Sequence, residues 1–205
     1  MPKKGYHHGN LRQALIEAAL ELIELRGPTG FTLSEAAKQA GVTPAAVYRH
    51  FEGREDLIAE GALQGYEIFA DLMEAAYASG QPSALKAFEA TSRAYLAFAR
   101  ANPGHYISMF ESGISVNRTP ELAAAANRAN GVLEQAAGDL SQHIPADKRP
   151  PASMFSAHIW ALSHGVVELF ARNSPGRASP FPADDLLESG IGIYLRGLGL
   201  VDMDS

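Results

Sequence analysis

Residues 32–51 read TLSEAAKQAGVTPAAVYRHF, two short helices with a glycine turn between them. Thr32 and Glu35 have the spacing of a capping box, a hydroxyl at the N-cap and a carboxylate three residues on. Leu33, Ala36, Ala37 and Ala40 recur at helical spacing and give the first helix a small apolar face. Gly41 stops it where a positive φ costs little. Thr43 as N-cap and Pro44 at the first helical position start the second helix, and the small Ala37 lets the two cross closely. In a second helix spanning Pro44–Phe51, Val47 and Phe51 turn inward together with Val42. At about 100° per residue, Ala45 and Arg49 then point away, with Ala46 and Tyr48 on the flanks. A slim helix with a donor-bearing rim of Tyr48, Arg49 and His50 fits the major groove of DNA. The same pattern also describes an ordinary helical hairpin with a mixed surface.

The flanking sequence supports a small bundle around this pair. Leu11, Leu15, Ala18, Leu22 and Leu25 follow a 4-3-4-3 rhythm, which predicts a helix over 10–26 with one apolar stripe and Asn10 as its cap. Gly27-Pro28 ends it, and Phe31 is placed to plug the core against the hairpin. Gly53-Arg54-Glu55-Asp56-Leu57 opens a further helix with acidic residues in its first turn, continuing to about Ala78. Ahead of all this, Lys3 to His8 forms a basic arm, read either as a solvated tail or as a segment reaching phosphates or the minor groove.

The stretch FTLSEAAKQAGVTPAAVYRHFEGREDL, with its G-V-x-x-x-x-V-Y-x-H-F run and the basic and acidic-Leu positions after it, resembles the DNA-binding segment of the TetR (tetracycline repressor) family of transcription regulators. The resemblance implies an all-α fold, with a basic arm over 1–8, a three-helix helix-turn-helix DNA-binding domain over 9–66, and a larger helical ligand-binding and dimerisation domain over 67–205. It implies a homodimer on a palindromic double-stranded DNA operator, most often a repressor, released by a small-molecule effector. By position, Thr43, Pro44, Ala45, Ala46, Tyr48 and Arg49 lie where the family meets bases, and Thr32, Ser34, Tyr48, His50 and Arg54 where it meets phosphates. Arg49 is the best guanine-reading candidate, able to pair with O6 and N7. Family members often carry a lysine where this chain has Glu52, which puts a phosphate contact there in doubt.

Composition agrees with such a division. The net charge of −6 looks wrong for a DNA binder, but residues 1–54 carry seven Lys/Arg against five Glu, while the rest carries ten against eighteen acidic residues. The absence of cysteine excludes disulfides and thiolate metal sites. No apolar run reaches membrane-spanning length and the N-terminus has no apolar signal core, so a cytoplasmic protein without membrane association is expected.

Beyond Ala78 the chain reads as helices throughout. They are expected over Ala84–Ala101, His105–Glu111, Thr119 to about His143, Ser153–Arg172 and Ala183–Gly197, separated by Pro- and Gly-bearing breaks, with a loop over Asn173–Pro182. The alanine-rich third of these implies tight packing, and Gly190 and Gly197 imply close approach of another helix. Phe88 and Tyr95, then His105, Tyr106, Met109 and Phe110, then Trp160 and His164 are the candidates to line a small-molecule cavity, although a plain helical core explains each singly. Trp160 to Gly165, W-x-x-x-H-G, also resembles the C-terminal domain of the WHG-type TetR subgroup. The last two long helices carry more apolar surface than one bundle needs, and resemble the pairs that build a four-helix dimer interface in the family; the alternative is that they cover the monomer's own core.

Catalytic signatures fail on spacing. GIGIYLRGLG places Leu195 where a dinucleotide fingerprint needs its third glycine, and no strand precedes it. Glu111 to Ser115 lacks the glycines of a nucleophile elbow. His158 and His164 are six apart, not the four that puts two zinc ligands on one helix face. No enzyme activity, cofactor or metal is expected.

Overall fold

A computed structural model describes residues 11–171 and 180–200, with the side chain of Ala171 excepted. Among them are nine α-helices, one π-helical turn and no strand. They are α1 (Leu11–Arg26), α2 (Leu33–Gln39), α3 (Pro44–Val47), α4 (Arg54–Gly80), α5 (Ala84–Ala101), α6 (Pro103–Phe110), α7 (Pro120–Ser141), α8 (Ala152–Val166), the π turn Val167–Ala171 and α9 (Ala183–Gly197). The basic arm Lys3–His8, the Asn10 cap, the Arg172 helix end and most of the Asn173–Pro182 loop lie outside the described residues. The chain divides into two compact units. One holds residues 11–67 with 102–126, the other residues 68–101 with 127–171 and 180–200. α4 and α7 each contribute residues to both.

The first unit is built on α1, which buries Leu15, Ile16, Ala18, Ala19, Leu22 and Ile23. The single stripe expected from the 4-3-4-3 rhythm is therefore too narrow, and its last member, Leu25, is 75 % exposed. The reason is that α1 is covered from two directions. The α2–α3 pair lies on one side, and on the other α6 approaches so closely that a Cβ added at Gly104 would sit 2.6 Å from the Leu20 carbonyl oxygen. Phe31 fills the centre, joined by Ala36, Ala37, Val47, Phe51, Leu57, Ile58 and Ile107. Burying a side chain such as Phe31 is worth roughly 1.5–3 kcal/mol.

In the second unit, Phe69 meets Tyr95 and Phe98 at ring separations of 5.3 and 4.9 Å. Phe88, Phe155 and Tyr194 form a stack with separations of 5.6 and 5.8 Å. The alanine-rich α7 does pack tightly, with Ala129, Ala136 and Ala137 buried. Its Arg128 pairs with Asp71 at 2.6 Å and Glu74 at 2.5 Å, and Tyr77 donates its hydroxyl to Asp139. α9 packs on α8 where a Gly190 Cβ would lie 3.2 Å from Leu162, as its glycine implied. At Gly197 an added Cβ meets nothing within 4 Å among the described residues of the same chain. The helix expected over Ser153–Arg172 changes its hydrogen-bond period at Val167. Apolar residues continue through that point, so the pattern does not mark the change.

Candidate nucleic-acid interface

The start of α2 is fixed by reciprocal bonds. The Glu35 N–H donates to Thr32 Oγ1 at 3.2 Å, and the Thr32 N–H donates to Glu35 Oε2 at 2.9 Å. Arg26 adds an ion pair to Glu35 at 2.8 Å. The Thr32 N–H first, then its hydroxyl and Arg26, hold the Glu35 carboxyl below the usual carboxylate range. α2 then ends at the expected place, with Gly41 at φ +74° and the Val42 N–H bonded to the Ala37 carbonyl at 2.9 Å. Ala36 and Ala37 are fully buried, which brings α3 against α2. Thr43 takes the extended N-cap conformation and Pro44 opens α3, but the Thr43 hydroxyl makes no capping bond.

α3 is shorter than the Pro44–Phe51 helix expected from the sequence. The α-helix stops at Val47, and Arg49 and His50 bond back only three residues, to Ala46 at 3.4 Å and Val47 at 2.9 Å. The tightening lets Phe51 reach the core before α4 begins at Arg54. The facing nevertheless follows the expected division. Val47 is fully buried and Phe51 is buried, whereas Thr43, Pro44, Ala45, Tyr48, Arg49 and His50 are exposed and Ala46 is half-buried. Tyr48 is 62 % exposed although it is a large aromatic. Arg49 has no ion-pair partner among the described residues. The result is a small convex surface carrying hydroxyl, guanidinium and imidazole donors, with alanine where bulk would block approach.

The phosphate candidates are placed less uniformly. Ser34 is exposed on the first turn of α2. The Thr32 hydroxyl is engaged with Glu35, accepting from its N–H and donating to Oε2 at 3.0 Å. Arg54 turns toward the chain's own backbone, donating from Nη1 to the carbonyls of Thr29 at 3.1 Å and Phe31 at 3.3 Å. Its Nε is buried without an acceptor among the described residues. Arg54 thus ties the start of α4 to the turn before α2.

Two positioning arginines carried no sequence signal, because their partners are distant in the chain. Arg12 pairs with Glu60 at 2.5 Å and lies 5.4 Å above the Phe51 ring. Arg118 reaches the first turn of α4, pairing with Asp56 at 2.5 Å and Glu55 at 3.2 Å. Asp56 also accepts the Glu52 N–H at 3.1 Å. Arg118 first, then the backbone N–H groups of Glu52 and Gly53, hold the Asp56 carboxyl low.

The eight candidate ligand residues divide between the units. His105, Tyr106, Met109 and Phe110 belong to the first. There His105 Nδ1 lies 2.8 Å from the Gly61 carbonyl, and since a carbonyl only accepts, Nδ1 carries the proton. Burial pushes the His105 imidazole below its ordinary value. Tyr106 and Met109 are buried, and Phe110 packs on Tyr106 and Tyr66 at 4.9 and 5.9 Å. Burial also pushes the Tyr66 hydroxyl up to about 12. Phe88, Tyr95, Trp160 and His164 belong to the second unit. Tyr95 and His164 share a hydrogen bond of 2.9 Å, and the Trp160 ring lies 6.2 Å from Tyr95 and 6.4 Å from His164. Phe88 stands apart in the Phe155 stack. Among the described residues no helix is long and apolar enough to cross a membrane, and no group of His, Asp and Glu is arranged to hold a metal.

The chain is similar to known families, relatives and folds. Residues 15–60 match the family profile described as bacterial regulatory proteins, tetR family. Residues 88–194 match the profile described as tetracyclin repressor-like, C-terminal domain. Among curated relatives, the uncharacterized HTH-type transcriptional regulator YobS of Bacillus subtilis is 29 % identical over 99 residues, covering 48 % of this chain and 50 % of that one. The chain thus matches about half the length of that relative. A solved protein of unknown function from Rhodococcus sp. RHA1 is 26 % identical, with a TM-score of 0.78 over 96 % of this chain and 99 % of that one. AibR, solved in complex with isovaleryl coenzyme A and operator DNA, is 18 % identical and shares the fold, with a TM-score of 0.66 over 89 % and 97 % of the two chains.

Proposed function

The chain belongs to the tetR family of bacterial regulatory proteins, DNA-binding transcription regulators with a helix-turn-helix head, and from that premise we propose that it is a cytoplasmic, ligand-responsive repressor without enzymatic activity. It binds a palindromic operator as a homodimer and is released by a small-molecule effector. The observation that carries this reading is the exposed rim of Thr43, Ala45, Tyr48, Arg49 and His50 around a fully buried Val47. Arg49 reads a guanine through O6 and N7, Thr43 to Ala46 and Tyr48 meet base edges or the thymine methyl, and Ser34, Tyr48 and His50 meet phosphates. Thr32 and Arg54 contribute by holding α2 and α4 in place, with side chains already engaged.

The dimer forms through α8 and α9, where Met154, Phe181 and Ile193 are 49, 60 and 62 % exposed on and beside the two helices. Apolar side chains that open in one protomer are what a self-complementary two-fold interface covers. The two-fold then sets the recognition helices one DNA turn apart, roughly 34 Å. The effector binds among the aromatic groups of the second unit, with Tyr95, Trp160 and His164 as its nearest polar and aromatic contacts. The W-x-x-x-H-G run from Trp160 to Gly165 is what supports a WHG-type reading of the second unit. AibR, whose structure holds an acyl coenzyme A and operator DNA together, supports the coupling of a ligand to DNA binding.

Release works through the continuous 27-residue α4, which starts beside the recognition turn and ends in the second unit. At about 1.5 Å per residue it is a rod of roughly 40 Å. The effector must bind the released state better than the bound one, or it shifts nothing. Fluorescence anisotropy on labelled operator DNA, with and without a panel of small metabolites, tests this. A compound that binds the protein to saturation and leaves operator affinity unchanged is not its effector, and a complete panel behaving so rejects ligand-controlled release.

A further inference from the structure

The joint between the recognition turn and α4 lacks a hydroxyl cap. Gly53 stands just ahead of Arg54, so the hydroxyl half of a capping box is missing there. Asp56, three residues after Gly53, supplies the acid half alone. Its Oδ2 accepts the Glu52 N–H at 3.1 Å, and the Gly53 N–H also supports the carboxylate. Phe51, directly before these two residues, is anchored in the core. One carboxylate therefore fixes the backbone that leads from Tyr48, Arg49 and His50 into α4.

The other oxygen of that carboxylate is held from far along the chain. Arg118 Nη2 lies 2.5 Å from Asp56 Oδ1, and the two residues are 62 apart in sequence. The next residue, Thr119, accepts the Leu122 N–H on its hydroxyl at 3.2 Å and so caps α7. Leu122 is buried, which anchors that helix start within the first unit. Arg118 and Asp56 line one cleft together with His50, Phe51 and Glu52. We propose that Arg118 is a positioning residue for DNA binding. It acts through Asp56, which keeps the recognition turn set for the duplex. The start of α7 thereby bears on the Arg49 rim by a route that does not run along α4. The proposal rests on the DNA-binding reading and needs no effector.

The sign of one substitution separates this from simple electrostatics. Asp56→Asn keeps the shape and removes a negative charge near the DNA-reading surface. Charge alone would raise affinity for a polyanion. Acting through the turn, the substitution should lower it about fivefold, the upper range for a partly exposed ion pair. The full-length protein is titrated with a duplex that the wild type selects from a random pool. Arg118→Gln should lose about fivefold as well, and Arg118→Lys should stay within about twofold of wild type. The double variant should be no weaker than either single one by more than about twofold. Glu55→Gln removes the neighbouring carboxylate, which also pairs with Arg118 but is 68 % exposed, and should not lower affinity. Hydrogen exchange without DNA should be about fivefold faster at the Glu52 amide in both Asp56→Asn and Arg118→Gln.

A gain in affinity with Asp56→Asn, additive losses in the double variant, or a Glu52 amide unmoved by Arg118→Gln overturns the proposal. So does an Arg118→Gln loss that flattens the salt slope by about one phosphate, because Arg118 then meets the DNA backbone itself. Variants that match a wild type able to bind refute the proposal alone. A wild type that selects no duplex refutes the DNA-binding reading, and the proposal with it.

Discussion

Val47→Ala isolates the division of faces on which DNA reading depends. Val47 is fully buried among Phe31, Phe51, Ala36 and Ala37, so the substitution removes two methyl groups from a closed core. At about 0.8 kcal/mol per buried carbon the transfer loss is roughly 1.6 kcal/mol. The cavity left behind adds up to about 1 kcal/mol. The gain from placing alanine in a helix returns only a few tenths, roughly 0.5 kcal/mol at most. The expected loss is therefore about 2 kcal/mol, and it falls on the head. Hydrogen exchange reads it locally at the amides of Val42 and Phe51, whose bonds to Ala37 and Val47 close the α2 and α3 turns. Both should exchange about thirtyfold faster in the variant, the equivalent of 2 kcal/mol. Protection unchanged within a factor of two would mean that Val47 does not hold the pair together, and that the outward facing of Ala45 and Arg49 is not fixed by the core.

Arg49→Ala should leave thermal stability within about 0.5 kcal/mol of wild type, because Arg49 is exposed and has no ion-pair partner among the described residues, while preference at one operator base pair falls by about 1–3 kcal/mol across a sequence library. Gly104→Ala should destabilise by about 1–2 kcal/mol in urea unfolding, since its Cβ would meet a backbone oxygen at 2.6 Å that cannot rotate away. Gly131→Ala, also helical but facing open space, should instead stabilise by about 0.5–1 kcal/mol. His105 is held neutral by burial, so the folded protein binds fewer protons than the unfolded chain below the ordinary histidine value of 6.5. The stability this gives is complete above that pH and is lost as the pH falls from it toward the lower folded value. His105→Gln should flatten the slope of unfolding free energy between about pH 7 and 5, and an unchanged slope would assign the pH dependence elsewhere.

How much of this was legible in the sequence depends on the range of the interaction. Thr32 with Glu35, Gly41, and Thr43 with Pro44 are local devices acting within four residues, and their helix boundaries were readable. α5 and α9 lie where their breaks and caps placed them. What was hidden needed a partner far along the chain. Ile16, Ala19 and Ile23 are core because α1 is covered on a second side as well, which no local rhythm announces. Arg54 looks like a phosphate-binding residue by position, yet the carbonyls of Thr29 and Phe31 take its guanidinium. The cleft lined by Asn130, Glu134 and Trp160 forms only once α7 lies beside α8. The end of α3 at Val47 was missed for a related reason, because the pull of Phe51 into the core outweighs the helical continuity of PAAVYRHF.

The central claim is that this chain presents two copies of the Arg49 rim to one duplex. Selection of bound sequences from a random DNA pool, run in parallel with wild type and Arg49→Ala, measures it directly. The expected result is an inverted repeat with half-site centres about 10 base pairs apart, one position of which loses its preference in the variant. No enriched sequence, a lone half-site, or the same preferences from both proteins would contradict it.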